Sequence, residues 1–185
     1  SRAPGRVIPL GATTEPEEAL LLGGNTATLW EGRITQFGPT AEVYRQPVDA
    51  TTARVFSDPP MNFLEIEKRG VQLLFGDGQS AEAKGALAEL ADGVYSAGFR
   101  PNHVEIEPHA ADAMTFDTRL AVFEITGSET FVHLDHHGDR WVGVVHGVRD
   151  LEIGAPLIVY LDPAHVYVFG ADGALVAPAS YALAA

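Results

Sequence analysis

Cysteine is absent from all 185 residues. That removes disulfides, thiolate metal sites and cysteine nucleophiles together, and it fits a reducing compartment. No run of about 18 consecutive apolar residues occurs, so no helix can span a bilayer. The first eleven residues lack the continuous apolar stretch of a secretory signal, and Pro4, Gly5 and Pro9 discourage regular structure there. Basic residues are scarce: 12 Lys and Arg stand against 25 Asp and Glu, a formal charge of −13. An acidic surface repels phosphate backbones and anionic lipid heads, which argues against nucleic-acid or membrane-surface binding. The acids are spread along the chain, as on a solvated surface rather than in an acidic tail. There is no internal repeat, no G-x-S-x-G and no H-E-x-x-H, and carboxylate pairs mean little in so acidic a chain.

What is present is a change of pattern along the chain. Residues 12–22 read as a helix: Thr14 suits the N-cap, Pro16 the first turn, and Glu15, Glu17 and Glu18 the positive end of the dipole. Gly23-Gly24 stops it. Residues 26–30 and 33–37 form a hairpin that ends in a tight Phe37-Gly38-Pro39 corner. Two short helical pieces, 41–44 and 52–56, flank Pro47, and Pro59-Pro60 breaks the chain. From Met61 the apolar period becomes two. Strands are expected at 63–68 and 71–75, with a Gly76-Asp77-Gly78 turn. Residues 81–91 read as a short surface helix or ordered loop carrying Leu87 and Leu90 on one face. A strand runs from 94 into Gly98, another starts near Val104, and 108–116 is a loop. Strands follow at 118–126, 129–135, 140–145, 156–161 (a run of the kind buried on both faces) and 166–169, before a last turn at Ala171-Asp172-Gly173. Short strands with turns between them indicate a small antiparallel barrel. The chain is thus mainly β, with 1–58 as a helix-and-hairpin unit and hinge, and 59–185 as the β domain.

The pieces EEALLL, EGRITQFG, EVY followed by Pro47, PPMNFL, and Gly98-Phe99-Arg100-Pro101-Asn102-His103 occur in an order that resembles the ATP-binding subunits of sugar-type ABC importers, of the maltose and glycerol-phosphate class. In that family such residues lead from the end of the nucleotide-binding domain into a C-terminal regulatory TOBE domain of OB-like fold. The resemblance extends through VFEITGSETFVHL, PLIVYL and HVYVFGADGAL, from residue 12 onward. It implies that 1–58 is the tail of a nucleotide-binding domain with hinge helices, and that Gly98 to His103 is the signature of the regulatory domain. Anchoring on Glu18-Ala19-Leu20 puts Thr14 where the family has its switch histidine. Either that half-site lacks its histidine or the register differs there. A threonine can donate a hydrogen bond but does not titrate near neutral pH.

The phosphate-binding motif G-x-x-x-x-G-K-[ST] is not in these residues. The expectation is therefore a regulatory and dimerisation region that does no chemistry itself, with no catalytic or cofactor-binding residue; ATP and magnesium belong to the parent subunit. The resemblance implies pairing with a second copy or a sister ATPase, contact with membrane permease subunits and with a regulatory protein, no nucleic acid, and a place on the cytoplasmic face of a bacterial membrane. The rival reading is a standalone oxyanion-binding module, of the molybdate type, using Thr126, Ser128 and Thr130.

Arg100 has two readings of its own: a structural tie to backbone carbonyls, which is favoured, or a ligand-binding fork. His133, Asp135 and His137 share a strand face and are the weak candidates for a metal, but same-face neighbours lie about 7 Å apart, too far to grip one ion. Phe131, Trp141 and Tyr160 are candidates for a contact face, with burial in the core the more ordinary fate.

Overall fold

A computed structural model describes residues 10–76, 78–147 and 151–183. The expected turn at Gly76-Asp77-Gly78 includes Asp77, which lies outside them, as do residues 1–9. The chain opens with helix α1 (Pro16–Leu22), strands β1 (Asn25–Trp30) and β2 (Arg33–Pro39), and helices α2 (Thr40–Arg45) and α3 (Ala50–Val55). Then come β3 (Asn62–Arg69), β4 (Gln72–Phe75), β5 (Ser80–Glu82), β6 (Gly93–Phe99), β7 (Met114–Thr126), β8 (Glu129–His136), β9 (Asp139–His146), β10 (Pro156–Leu161), β11 (Tyr167–Phe169) and β12 (Leu175–Ala177). β1 and β2 form a two-stranded sheet. The β body consists of two antiparallel sheets, ordered β10-β7-β8-β9 and β12-β11-β6-β3-β4-β5.

The two larger sheets bury one shared apolar cluster. β3 turns Leu64 and Ile66 inward, β4 Leu73 and Phe75, β7 Met114, Phe116 and Leu120, β8 Val132 and Leu134, and β9 Trp141 and Val145. Period-two alternation makes this possible, because each strand gives one face to the core. In β7 the alternation slips at a bulge between Leu120 and Val122, so the outer end of that strand leaves the core and Val122 and Ile125 are exposed. Trp141 anchors the centre. Its ring meets Phe99 edge-on at 5.0 Å and Phe116 at 5.4 Å, and His136 stacks on it at 4.2 Å.

The sheets are joined by side chains where no ladder runs between them. The Asn62 amide donates to the Val142 carbonyl and accepts from the Val142 N–H, both at 2.8 Å, as a strand partner would. Beside it, Trp141 Nε1 donates to the Phe63 carbonyl at 3.2 Å. β9, an edge strand of its own sheet, is thereby tied to β3.

Several local expectations change. The Phe37-Gly38-Pro39 corner is straight: β2 runs to Pro39, paired with Asn25, and passes directly into α2. Thr14 is not the N-cap of α1. Glu15 occupies that position, while the Thr13 hydroxyl accepts from Glu15 N–H at 3.0 Å and donates to the Glu18 carboxylate at 2.6 Å. Residues 81–91 hold the end of β5 and one 3-10 turn, Gly85–Leu87, because Gly85 takes a positive φ of 55° that ends any longer helix. Leu87 and Leu90 are both buried, so the shared apolar face is real. No strand begins at Val104; a 3-10 turn and a lone bridge from Glu105 to Tyr160 stand there. β7 starts at Met114, inside the expected loop, and β10 exposes alternate residues rather than being buried on both faces.

Replacing Asn62 by Ala should leave the backbone N–H and C=O of Val142 without their partner. We expect a loss of about 2 kcal/mol in urea unfolding with an unchanged slope. A loss under about 0.5 kcal/mol would show that the tie is dispensable.

Candidate functional site: the Arg100 turn

The Gly98–His103 segment forms the end of β6 and the 3-10 turn that follows it. At Gly98 a Cβ would lie 2.8 Å from Met61 Sδ and 2.9 Å from Phe169 Cε2, so only glycine fits between those side chains. Phe99 enters the core. Pro101 starts the turn Pro101–His103, whose fixed φ suits its first position. Asn102 is exposed.

Arg100 is buried, 2% exposed. One terminal nitrogen donates to the Phe56 carbonyl at 2.8 Å and the other to the Tyr44 carbonyl at 2.7 Å. Tyr44 lies in the last turn of α2, and Phe56 is the C-cap of α3. Carbonyls at helix C-termini lack intrahelical partners and carry partial negative charge. A single guanidinium thus caps two helices at once. It also lies over the Tyr44 ring, 3.7 Å from the centroid, with the Tyr167 ring at 5.8 Å. The geometry is that of a tie between segments, with both forks of the side chain spent on carbonyls.

Two further contacts lock the same helices to the β body. The Ala50 N–H donates to the Gly173 carbonyl and the Leu175 N–H to the Val48 carbonyl, each at 2.9 Å. Ala53 packs with Met61, Tyr167, Phe169 and Ala179 in a second apolar cluster.

Around the arginine stands a group of rings that no local pattern announced. His103 meets His165 edge-on, with centroids 3.9 Å apart, and Tyr181 covers both at 4.9 and 4.8 Å. The Tyr167 and Tyr181 hydroxyls are 3.2 Å apart. Burial raises the Tyr44 and Tyr167 hydroxyls above their ordinary range, against the opposing pull of Arg100. His103 is lowered to about 3, first by burial, then by His165 and Arg100. His165 and Tyr181 follow Arg100 by 65 and 81 residues, so sequence spacing gives no sign of them.

The other candidate residues do not gather. His133 and Asp135 lie on the outer face of β8, while His137 sits beyond the strand in a turn with φ of 50°. Among the described residues no three His, Asp or Glu side chains are placed to hold a metal. Thr126 and Ser128 are exposed at the β7–β8 turn, and the Thr130 hydroxyl is spent on the Gly147 carbonyl at 2.9 Å. Trp141 belongs to the core, and Phe131 and Tyr160 are half-buried. Thr14 is exposed ahead of α1.

Comparison with known proteins covers the same turn. Residues 97–169 match the TOBE domain family. The TOBE match thus begins one residue before Gly98 and ends at Phe169 of β11. Along the whole chain, similarity runs to import ATP-binding proteins. The sn-glycerol-3-phosphate import ATP-binding protein of Chromobacterium violaceum is 30% identical over 166 residues, covering 88% of this chain and 44% of that protein. The maltose/maltodextrin import ATP-binding protein of Yersinia pestis bv. Antiqua is 29% identical over 171 residues, covering 87% and 45%. The xylose/arabinose import ATP-binding protein of Haloferax volcanii is 26% identical over 174 residues, covering 88% and 45%. The resemblance to sugar-type ABC importer ATP-binding subunits therefore holds over most of the chain, and the mainly β, antiparallel body is that of a TOBE/OB-like domain. The chain spans less than half the length of these relatives. Among solved structures, a molybdate-bound crystal structure of the cytoplasmic molybdate-binding protein ModG aligns with a TM-score of 0.46 and 16% identity, covering 58% of this chain and 94% of that one.

Two measurements test the TOBE-domain tie. Arg100→Gln leaves two helix-end carbonyls unpaired, and we expect a loss of about 2–4 kcal/mol, with trypsin cutting first at Arg45 or Arg54 as α2 and α3 loosen. For His103, the unfolded side chain binds a proton near 6.5 and the folded one only near 3. Stability should therefore fall as pH drops through that window and be unaffected by His103 above it. Urea midpoints from pH 7.5 to 4 should show this slope, and His103→Gln should flatten it.

Proposed function

We propose that this chain is the regulatory and dimerisation region of the ATP-binding subunit of an ABC importer for sugars, polyols or glycerol phosphate. The observation that carries the reading is the TOBE match at residues 97–169 within a chain similar along 88% of its length to an import ATP-binding protein. Residues 1–58 are then the end of a nucleotide-binding domain with its connecting helices, and 59–185 the TOBE region. The sequence holds no G-x-x-x-x-G-K-[ST] loop to cradle phosphates. ATP and magnesium act in the parent subunit, and this region does no chemistry. Its partners are a second copy or a sister ATPase, the permease subunits and a regulator, on the cytoplasmic side of the membrane. Among the described residues no helix is long and apolar enough to cross a membrane.

The β1–β2 hairpin supports the assignment of its first part. Leu29 pairs with Ile34 and Ala27 with Phe37 on one face. Leu29, Ile34 and Phe37 are 60%, 63% and 68% exposed, and Leu21 and Leu22 of α1 are more exposed still. An apolar sheet face in water is a surface built to be covered, as the last hairpin of a larger domain would be. α2 and α3, clamped by Arg100, would carry motion of that domain into the TOBE region as a rigid joint.

Light scattering on the purified chain should give a dimer, and a phosphate-release assay should give no ATP turnover. A monomer at tens of micromolar would overturn the dimerisation role, and measurable turnover would overturn the non-catalytic one.

A further inference from the structure

One face of the β10-β7-β8-β9 sheet covers the apolar cluster around Trp141, and the other points away from it. Alternation and register set the outward side chains of β7, β8 and β9 in rows that cross the strands. Arg119, Asp135 and Arg140 make the first row, Val122, His133 and Val142 the second, and Glu124, Phe131 and Val144 the third. The β7 bulge creates this order. It lies between Leu120 and Val122, so Arg119 and Val122, three residues apart, both point outward.

The middle of this face is apolar and its two sides carry opposite charge. Val122 is 39% exposed, and Phe131, Val142 and Val144 are half-buried. Arg119 donates to the Gly154 carbonyl. Among the described residues no ion pair engages Arg119, Arg140 or Glu124. Asp135 stands between the two arginines in its own row, which sets the sign of that row as positive. Positive side chains are scarce in a chain of net charge −13 with 12 Lys and Arg. A surface with cations on one side, apolar groups in the centre and an acid on the other is complementary to itself turned over.

We infer that this face binds the same face of a second copy of the chain, about a two-fold axis that runs across the strands along the Val122-His133-Val142 row. The inference rests on the dimerisation reading above and names the surface that performs it. Such an axis lays the first row of one copy on the third row of the other. Arg119 then meets the Glu124 of the other copy, and by symmetry the contact is made twice. Arg140 lies over Val144, where the stem of a long cationic side chain covers apolar surface. Val122 and Val142 meet their own equivalents, and His133 stands on the axis. An axis along the strands would instead set Arg119 against Arg140, like charge on like, which excludes that arrangement.

The test uses the purified chain, which has no cysteine of its own. Packed sheets lie about 10 Å apart, beyond the reach of a disulfide, so the probe is a bis-maleimide with a two-carbon spacer. His133→Cys, on the axis, should be cross-linked to a dimer. Thr115→Cys, exposed on β7 away from the axis, should not. In sedimentation velocity, Glu124→Arg should raise the dimer dissociation constant about tenfold or more, because it sets like charges together at both symmetric contacts. Adding Arg119→Glu should bring the constant back toward that of the wild-type chain. A dimer that is unmoved by Glu124→Arg, a dimer without the His133→Cys cross-link, or a folded double variant that stays monomeric would overturn this face and leave dimerisation standing. A wild-type chain that is a monomer would overturn dimerisation, and the face with it.

Discussion

The positive charge of Arg100 is the point at which the two parts of this molecule meet. The ends of α2 and α3 would otherwise present carbonyl oxygens to a buried space, and neither helix is long enough to hold its own last turn firmly. A planar fork with donors at fixed spacing reaches both oxygens together, which a lysine ammonium on a flexible stem does not. The arginine is itself held by what precedes and follows it: a glycine that lets β6 pass between Met61 and Phe169, a phenylalanine in the core, and a proline that sets the turn.

The β body answers a related problem by other means. Two sheets that bury one cluster must be aligned without a backbone ladder between them. Asn62 and Trp141 make that alignment with side-chain groups that bond to backbone, and Trp141 also fills the centre of the cluster. Register and core packing are thereby fixed by the same residues.

Much of this was legible in sequence because period-two patterning and turn residues are local. β3, β4, β8 and β9 fall where alternation places them, and the glycine and proline of the Gly98–His103 signature mark its turn. The boundaries of β7 and of residues 81–91 were not legible: the alternation of β7 begins among residues that resemble a loop, and the alanines near 85 carry a helical composition that Gly85 overrides. The surroundings of Arg100 were the least visible. Its partners at 44, 56 and 167 are far apart in the chain, and the sheet order that sets β11 beside β6 and brings Tyr167 to it is not written in any one stretch.

The clamp recognises oxygens of the main chain. Every amino acid places a carbonyl at position 56, so the residue there can drift without altering the oxygen that the guanidinium grips. Position 44 is less free, because Tyr44 gives the guanidinium its ring as well as its carbonyl. Homologues that keep the arginine can therefore preserve the joint while position 56 diverges, and correlated substitution between positions 56 and 100 would be faint even though the physical link is direct.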